Sequence, residues 1–303
     1  MHRRTTLAAL ASLSSPFVTS LSSAASLPAL QALKPSPRMP VLFLGHGSPM
    51  NAIEDNAWRR SWQAMGKELL ARAAQPQLIL CVSAHWLTQG GWQLTGMANP
   101  KTIHDFGGFP QALFDQQYPA PGAPAVARSL AQELKSPATG TALGLDMQEW
   151  GYDHGTWSVL KPMFPKAHIP VLQLSMDYSR APSEHYALGQ QLQKLRERGV
   201  LIVGSGNIVH NLRASRRGSA ANEAYDWAGE FDGVVQEQIK KGQLDTLQNF
   251  QRLGAVAQQA HPTHEHYLPL LYAAGAARAD EMPRFFNTGY QSASISMRSV
   301  LWG

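Results

Sequence analysis

Short apolar runs alternate with longer amphipathic segments along most of this chain. Five runs bounded by Gly, Pro or polar residues predict strands buried on both faces, at residues 41–44, 77–83, 92–95, 170–175 and 200–205. Apolar positions at helical spacing predict helices at residues 51–72, 122–135, 182–198, 222–241 and 267–277. Strands that alternate with helices are typical of a sheet covered by helices. The pattern therefore predicts an α/β fold.

Three further segments carry weaker patterns. Residues 101–122 and 150–165 are rich in Gly, Pro and aromatic side chains, which predicts two long, ordered loops. Long ordered loops in compact domains usually serve function. Residues 291–301 alternate polar and apolar positions, which predicts an edge strand near the C-terminus.

Composition narrows the class of protein. The chain has 303 residues, of which 44% are hydrophobic, so it can bury a substantial core. Its net charge of +5 is spread over short clusters such as residues 194–198 and 213–217. Because it shows neither a basic stripe nor a nucleic-acid-binding module, we expect no nucleic-acid partner. The positive charge is also compatible with a basic entrance that attracts an anionic small substrate. The single cysteine, Cys81, excludes an intramolecular disulfide and a thiolate metal cluster.

The N-terminus is similar to an export signal. Arg3 and Arg4 precede a mildly apolar stretch, and small residues surround Ala25, as in a twin-arginine signal peptide that lacks the usual Phe at Thr6. We predict that residues 1–35 are a cleaved signal peptide and linker, that residues 36–303 form the folded domain, and that the protein is periplasmic or exported. The alternative is a disordered leader on a cytoplasmic protein. The apolar stretch is too short and too serine-rich to span a membrane.

Histidines follow several of the predicted strands. His46 follows the first strand, His85 the second, and His210 lies just beyond the strand at residues 200–205. Since ligands of open α/β sheets bind at the carboxyl ends of strands, these side chains can converge. Residues 261–266 add three more histidines. Neutral imidazole is the commonest side-chain ligand of metals, so we predict a metal site, for which zinc and Fe(II) both fit.

The two predicted loops contribute further candidates. His154 and His104 each lie among aromatic residues, where an imidazole can transfer a proton or simply stabilise a turn. The pattern leaves both interpretations open. We expect the other isolated histidines, His2, His168 and His185, to be surface residues, and His261 and His264 to line the mouth of the site at most.

Six segments carrying these histidines resemble one enzyme family. They are residues 44–51, 83–86, 102–110, 153–157, 204–212 and 265–270. In this order they resemble the motifs of the class III extradiol ring-cleavage dioxygenases of the LigB-like superfamily, and most of all those of the DOPA 4,5-dioxygenase branch. The resemblance extends from about residue 39 to the C-terminus and does not include the leader.

The resemblance implies a fold, a cofactor and a reaction. The fold would be a single α/β domain with a central mixed β-sheet flanked by helices. The cofactor would be one divalent metal, Fe(II) for catalysis or Zn(II) as in the related branch. The reaction would open a catechol ring beside its two hydroxyls with O2. A substrate such as L-DOPA would be cleaved at its 4,5 bond to a seco-DOPA semialdehyde.

The resemblance also assigns roles to individual residues. His46 and His85 match metal ligands, and His266 matches the third ligand, although the adjacent Glu265 is an alternative. His210 matches a histidine that either binds the metal or acts as acid–base catalyst, and His154 matches one that hydrogen-bonds the substrate. Two other functions fit the same histidines, namely a Memo-like binding protein and a zinc-dependent hydrolase. The oligomeric state does not follow from the residues.

Overall fold

The computed structural model of the protein describes residues 33–303. Most of the predicted signal peptide falls on residues 1–32, outside the described residues, so export stays a prediction. Leu33, which precedes the predicted domain boundary at residue 36, is buried in the core. The side-chain amide of Gln77 hydrogen-bonds both the backbone N–H and the carbonyl of Lys34, which attaches this segment to the domain.

Twelve strands are found among the described residues. In chain order, β1 to β12 are Val41–Gly45, Leu78–Thr88, Gln93–Thr95, Lys101–Thr102, Gly144–Asp146, Gly151–Tyr152, Val171–Asp177, Val200–Gly206, Pro283–Phe286, Tyr290–Gln291, Ile295–Ser296 and Ser299–Trp302. Eight of them form one mixed sheet in the order β5-β3-β7-β2-β8-β1-β12-β9. The four central strands β7, β2, β8 and β1 are parallel, while β12 and β9 pair antiparallel at one side. The predicted single-domain α/β fold with a central mixed sheet is confirmed.

Eight α-helices, α1 to α8, flank this sheet in the described part of the chain. They are Ala57–Ala71, Gln111–Phe114, Pro124–Glu133, His154–Met163, Pro182–Gln191, Asp226–Lys240, Ala255–Ala260 and Leu268–Ala276. Short 3-10 helices lie at Pro49–Ala52, Gln193–Arg198, Leu212–Ala214 and Leu244–Leu253. The five predicted helices are all present, with boundaries shifted by up to seven residues, because the predicted helix at residues 182–198 continues beyond Gln191 as a 3-10 helix. None of the helices in residues 33–303 combines the length and the apolar character that a membrane span requires.

The core lies on both faces of the sheet. Alternate residues of β1 point to opposite sides, so that Val41 and Phe43 join the cluster beneath α5, α6 and α8, while Leu42 and Leu44 join the cluster beneath α1 and α4. All of these side chains are fully buried. Burial on both faces explains why the central strands are continuous apolar runs without alternation.

Two of the predicted elements are wrong. Residues 150–165 contain helix α4, which we predicted as a loop. Its Gly and Pro residues are typical of loops, and burial all round leaves no polar face that would reveal helical spacing. The C-terminal strand is β12, which pairs between β1 and β9 and is not an edge strand. The edge belongs to β9, which we did not predict.

Candidate metal centre

The first candidate ligand, His46, is held in a tight turn after β1. A Cβ added to Gly45 would lie 2.6 Å from the backbone of Met297, and Gly47 adopts φ +56° with no room for a Cβ beside Gln291. The side chain of Gln291 accepts a hydrogen bond from the backbone N–H of Ser48 at 2.8 Å. Only glycine fits both positions, which is why His46 stands between two glycines.

Ser205 at the end of β8 fixes the tautomer of His46. Its hydroxyl donates to the carbonyl of Gly155 at 2.5 Å and lies 3.0 Å from His46 Nδ1. A hydroxyl has one proton, so His46 Nδ1–H must be the donor to the serine oxygen. His46 Nε2 therefore carries the free lone pair, which faces the centre of the site.

The second candidate ligand, His85, lies within β2. The prediction that it follows the strand is wrong, because β2 continues to Thr88. The pairing with β7 is irregular between Val82 and Leu87. These two residues are five positions apart in β2, but their partners Leu174 and Met176 are only two positions apart in β7. Such a bulge re-aims a side chain. His85 Nδ1 lies 3.3 Å from Asp105 Oδ2, and its Nε2 lies 3.4 Å from His46 Nε2.

The third imidazole, His266, precedes α8. Its Nδ1 lies 3.0 Å from Glu265 Oε1, so that Nε2 is left free. Its carbonyl accepts the backbone N–H of Asn207 at 2.8 Å, which ties the residue to the end of β8. The rings of His46, His85 and His266 have centroids 5.0–5.2 Å apart. Three imidazoles from three separate elements thus lie close together.

The electrostatics of this cluster keep the imidazoles neutral. Burial is the main cause that lowers the pKa of His46, His85 and His266 well below the ordinary value, and the neighbouring histidines lower it further. Neutral imidazoles have a lone pair to offer at physiological pH. The donor atoms of His46, His85 and His154 all lie within 4.8 Å of one another, and so do those of His210, Glu265 and His266, so these groups fit the metal cation that the sequence predicts.

His210 lies flat against His266. The two rings have centroids 3.4 Å apart and are inclined by only 7°. An imidazole binds a metal in its own ring plane, so two parallel rings at this separation do not direct their lone pairs at the same ion. Burial lowers the pKa of His210 to about 4, which keeps this imidazole neutral as well.

His154 and Asp105 form the opposite wall. His154 Nδ1 lies 3.0 Å from Asp105 Oδ2, and the backbone N–H of His154 donates to Oδ1 at 2.8 Å. Burial alone would raise the pKa of Asp105, but its hydrogen bonds with His154 and the electrostatic interaction with the His154 and His85 rings lower it to about 2. The carboxylate is therefore ionised and orients both imidazoles.

A cavity of about 750 Å³ opens over the cluster. All five predicted site histidines, His46, His85, His154, His210 and His266, line it. Aromatic and apolar side chains form much of the remaining wall, among them Trp58, Phe106, Phe109 and Ile295. The space accepts a flat aromatic ring next to the imidazoles.

The other histidines lie elsewhere. His104 Nε2 is hydrogen-bonded to the carbonyl of Gln116, and the ring is outside the cavity. His261 is buried and its Nε2 donates to the carbonyl of Ile208, so it does not line the mouth. His185 is fully buried against the hydroxyl of Tyr272, so the prediction that it is a surface residue is wrong. His168 is exposed, as predicted.

Sequence reasoning missed the residues that position the imidazoles. Asp105 directly follows His104 in the segment 102–110, where only the histidine was a predicted candidate. Ser205 lies in the glycine-rich end of β8 and carried no signal of its own. Ser205 contacts His46, which is 159 residues away along the chain, and Asp105 contacts His154, which is 49 residues away. Neither contact can be recognised from the spacing of residues in the sequence.

Comparison with known proteins gives the same result as the geometry. Residues 40–300 match the family described as the catalytic LigB subunit of aromatic ring-opening dioxygenase. The chain is 46% identical over 272 residues to the 4,5-DOPA dioxygenase extradiol of Escherichia coli (strain K12), which covers 88% of this chain and 96% of that protein. The protein of the same name from Beta vulgaris is 32% identical over 258 residues, or 85% of this chain and 94% of the relative.

A solved structure shares the fold. The crystal structure of an uncharacterized protein from Escherichia coli K12 superposes with a TM-score of 0.73 at 40% identity and covers 88% of this chain and 100% of that one. A family match over nearly all the described residues and a relative at 46% identity establish the family. The chain belongs to the LigB family of extradiol aromatic ring-opening dioxygenases, in the branch of the 4,5-DOPA dioxygenases.

Proposed function

We propose that the protein binds one divalent metal through His46, His85 and His266 and opens the ring of a catechol such as L-DOPA with O2. One observation carries the proposal. The rings of the three imidazoles have centroids 5.0–5.2 Å apart, and Ser205, Asp105 and Glu265 contact their Nδ1 atoms, which leaves Nε2 of each ring for a metal. Partners of this kind orient the ligands of metal sites and raise their basicity.

The contact between Glu265 and His266 supports His266 over Glu265 as the third ligand. A carboxylate that accepts Nδ1–H of a histidine leaves that histidine's Nε2 to the metal. Glu265 is also held by Thr263, whose hydroxyl lies 3.1 Å from Oε1. We therefore assign His266 as the ligand and Glu265 as its orienting partner.

The metal is Fe(II) in this proposal. When bound, Fe(II) supplies a Lewis acid for the two catechol oxygens and an electron-transfer centre for O2. The donor set by itself also suits zinc, which competes strongly at nitrogen ligands. Metal content and activity therefore have to be measured on the same sample.

His210 serves as the acid–base catalyst in our proposal. It lines the cavity, lies parallel to His266 and is neutral at pH 7, so it is able to accept a catechol hydroxyl proton. A proton held on His210 can then return to the opening ring. The parallel rings favour this role over metal ligation.

His154 orients the substrate. Because Asp105 occupies its Nδ1 side, Nε2 is the nitrogen left to hydrogen-bond a substrate oxygen. Phe106 packs edge-on against the His154 ring at 5.6 Å and offers an apolar wall to the aromatic substrate. The names of the two relatives support 4,5-cleavage of DOPA as the reaction.

The test uses protein stripped of metal and reloaded anaerobically with Fe(II). L-DOPA is added, oxygen is admitted, and oxygen uptake and the visible spectrum are recorded together. Uptake with a new yellow absorbance supports the proposal. Failure to consume oxygen with L-DOPA and with a panel of other catechols, at full iron occupancy, overturns it.

A further inference from the structure

Two adjacent arginines near the mouth of the cavity have different surroundings. Arg216 is fixed, because its backbone N–H donates to the carbonyl of Ser292 at 2.9 Å and its guanidinium contacts Glu223 at 3.3 Å and the ring of Tyr225. Its Nε also donates to Ser219 Oγ at 2.9 Å. These contacts hold residues 216–219 as a turn beside the cavity.

Arg217 is carried at the tip of that turn. The backbone N–H of Ser219 reaches the carbonyl of Arg216, and Gly218 adopts φ +82°, a conformation that favours glycine. Arg217 lines the cavity and is exposed to solvent. Within residues 33–303 its guanidinium has no carboxylate partner, since Glu223 pairs with Arg216.

The charges of the cavity are strongly asymmetric. Apart from the histidines, its ionisable lining residues are Asp105, Arg217 and Tyr290. Asp105 is occupied by His154 and His85, and burial raises the pKa of Tyr290, which keeps that phenol neutral. Among the side chains of residues 33–303, the cavity therefore offers one free cation and no free carboxylate. An anionic group of a substrate can pair with this cation, whereas an ammonium group has no free carboxylate to pair with.

We propose that Arg217 binds the side-chain carboxylate of the catechol substrate and thereby selects catechols with an anionic side chain. This inference rests on the proposed ring-opening function. A guanidinium matches a carboxylate with two parallel hydrogen bonds, whereas an isolated ammonium in the same place meets like charge. The amino group of a substrate such as L-DOPA contributes nothing to recognition, so 3,4-dihydroxyphenylpropanoate binds at least as tightly as L-DOPA.

The experiment compares Arg217→Gln with Arg213→Gln. Arg213 is an exposed arginine on the same loop that does not line the cavity, so its replacement removes an equal charge. Four catechols are used: 3,4-dihydroxyphenylpropanoate, L-DOPA, dopamine and 4-methylcatechol. Steady-state kinetics in air give KM and kcat, and calorimetric titration of the metal-loaded protein without oxygen gives Kd independently of turnover.

Arg217→Gln should raise KM and Kd about tenfold for the two carboxylates and leave kcat nearly unchanged. Both constants should stay unchanged for 4-methylcatechol, and Arg213→Gln should match the wild type throughout. The wild type should bind 3,4-dihydroxyphenylpropanoate more tightly than dopamine, and Arg217→Glu should reverse this order of affinities. The inference is overturned if Arg217→Gln changes KM and Kd equally for all four catechols, or leaves them unchanged for the two carboxylates. Neither result would contradict the proposed ring-opening function. A wild type that opens none of the four rings defeats the proposed function and this inference with it.

Discussion

At the scale of single residues, each candidate ligand is fixed at the nitrogen that faces away from the metal centre. Ser205 holds His46, Asp105 holds His85, and Glu265 holds His266. The partner decides which tautomer is present and so which nitrogen can bind. Ligands and partners should therefore respond differently to substitution.

We expect His266→Ala to lose most of its bound metal and Glu265→Gln to retain it with an affinity reduced 10- to 100-fold, because the first removes the donor and the second only its orienting partner. Metal content after dialysis against graded chelator measures the difference. The exposed His168 provides a matched control, and His168→Ala should bind metal like the wild type. Full metal occupancy in His266→Ala together with loss in Glu265→Gln would make Glu265 the ligand.

His210→Ala should separate catalysis from metal binding. We expect normal metal content and a turnover lowered about 10²- to 10⁴-fold, the usual contribution of a general acid–base group. The measurement pairs metal analysis with oxygen uptake on one preparation. Normal turnover would refute the acid–base role, and a parallel loss of metal would show that His210 is a ligand after all.

Single residues also show how much of the candidate site could be predicted from the sequence. The five site histidines could be predicted, because each lies in a recognisable local motif. Asp105, Ser205 and Arg217 could not, since their roles come from partners that only the fold brings near them. The sequence matched His266 to the third ligand with Glu265 as the alternative, and the contact between the two side chains supports our proposal that His266 is the ligand.

At the scale of elements, the start of α4 is packed directly against the metal centre. Asp153 caps the helix by accepting the backbone N–H of Thr156, and Gly155 follows within the first turn. A Cβ at Gly155 would meet Ser83 Oγ and lie 2.9 Å from His85 Cδ2. The helix can approach β2 this closely only with glycine at that position.

Gly155→Ala should therefore displace His85, weaken metal binding at least tenfold and cost about 1–3 kcal/mol of unfolding free energy through overpacking. Gly229→Ala on α6 is the control, since nothing lies within 4 Å of its added Cβ. That variant should gain up to about 1 kcal/mol from helix propensity. Urea unfolding and chelator titration measure both quantities. A Gly155→Ala protein with unaltered stability and metal affinity would contradict the close packing.

The elements were predictable where burial leaves a pattern. Parallel strands such as β1 and β8 are continuous apolar runs, and α1 or α6 carries an apolar stripe. Helix α4 lacks such a stripe because both of its sides are buried, and β9 has only four residues. For these two elements, tertiary packing outweighs any local preference.

At the scale of the whole molecule, the parallel strands β1, β2 and β8 place their carboxyl ends side by side, which is where the metal centre forms. The alternation of strands and helices predicts such a sheet. The order of its strands depends on contacts between distant segments, and the insertion of β12 beside β1 is not visible in the sequence.

Buried histidines make the stability of the whole domain sensitive to acid. Burial lowers the pKa of His185 to about 4, whereas the unfolded chain titrates near 6.5. Between these pH values only the unfolded state binds the proton, so stability falls as the pH decreases. From pH 7 to pH 5, His185 should account for a loss of about 2 kcal/mol.

His185→Gln should remove this part of the loss, since a glutamine oxygen can still accept the hydroxyl proton of Tyr272 without titrating. Urea unfolding of wild type and variant at pH 7 and pH 5 gives the comparison, and other buried groups cancel in the difference. An identical loss in the two proteins would show that His185 does not carry it.

The central claim is that this chain inserts dioxygen into a catechol ring at a three-histidine metal centre. The most direct test is mass spectrometry of the product formed by the Fe(II)-loaded enzyme from 3,4-dihydroxyphenylpropanoate under ¹⁸O2. Our account predicts a ring-opened semialdehyde whose new carboxylate carries one ¹⁸O atom that does not exchange with water. A product without the label in that carboxylate, or one labelled only from H2¹⁸O, would contradict it and indicate hydrolytic chemistry at the same histidines.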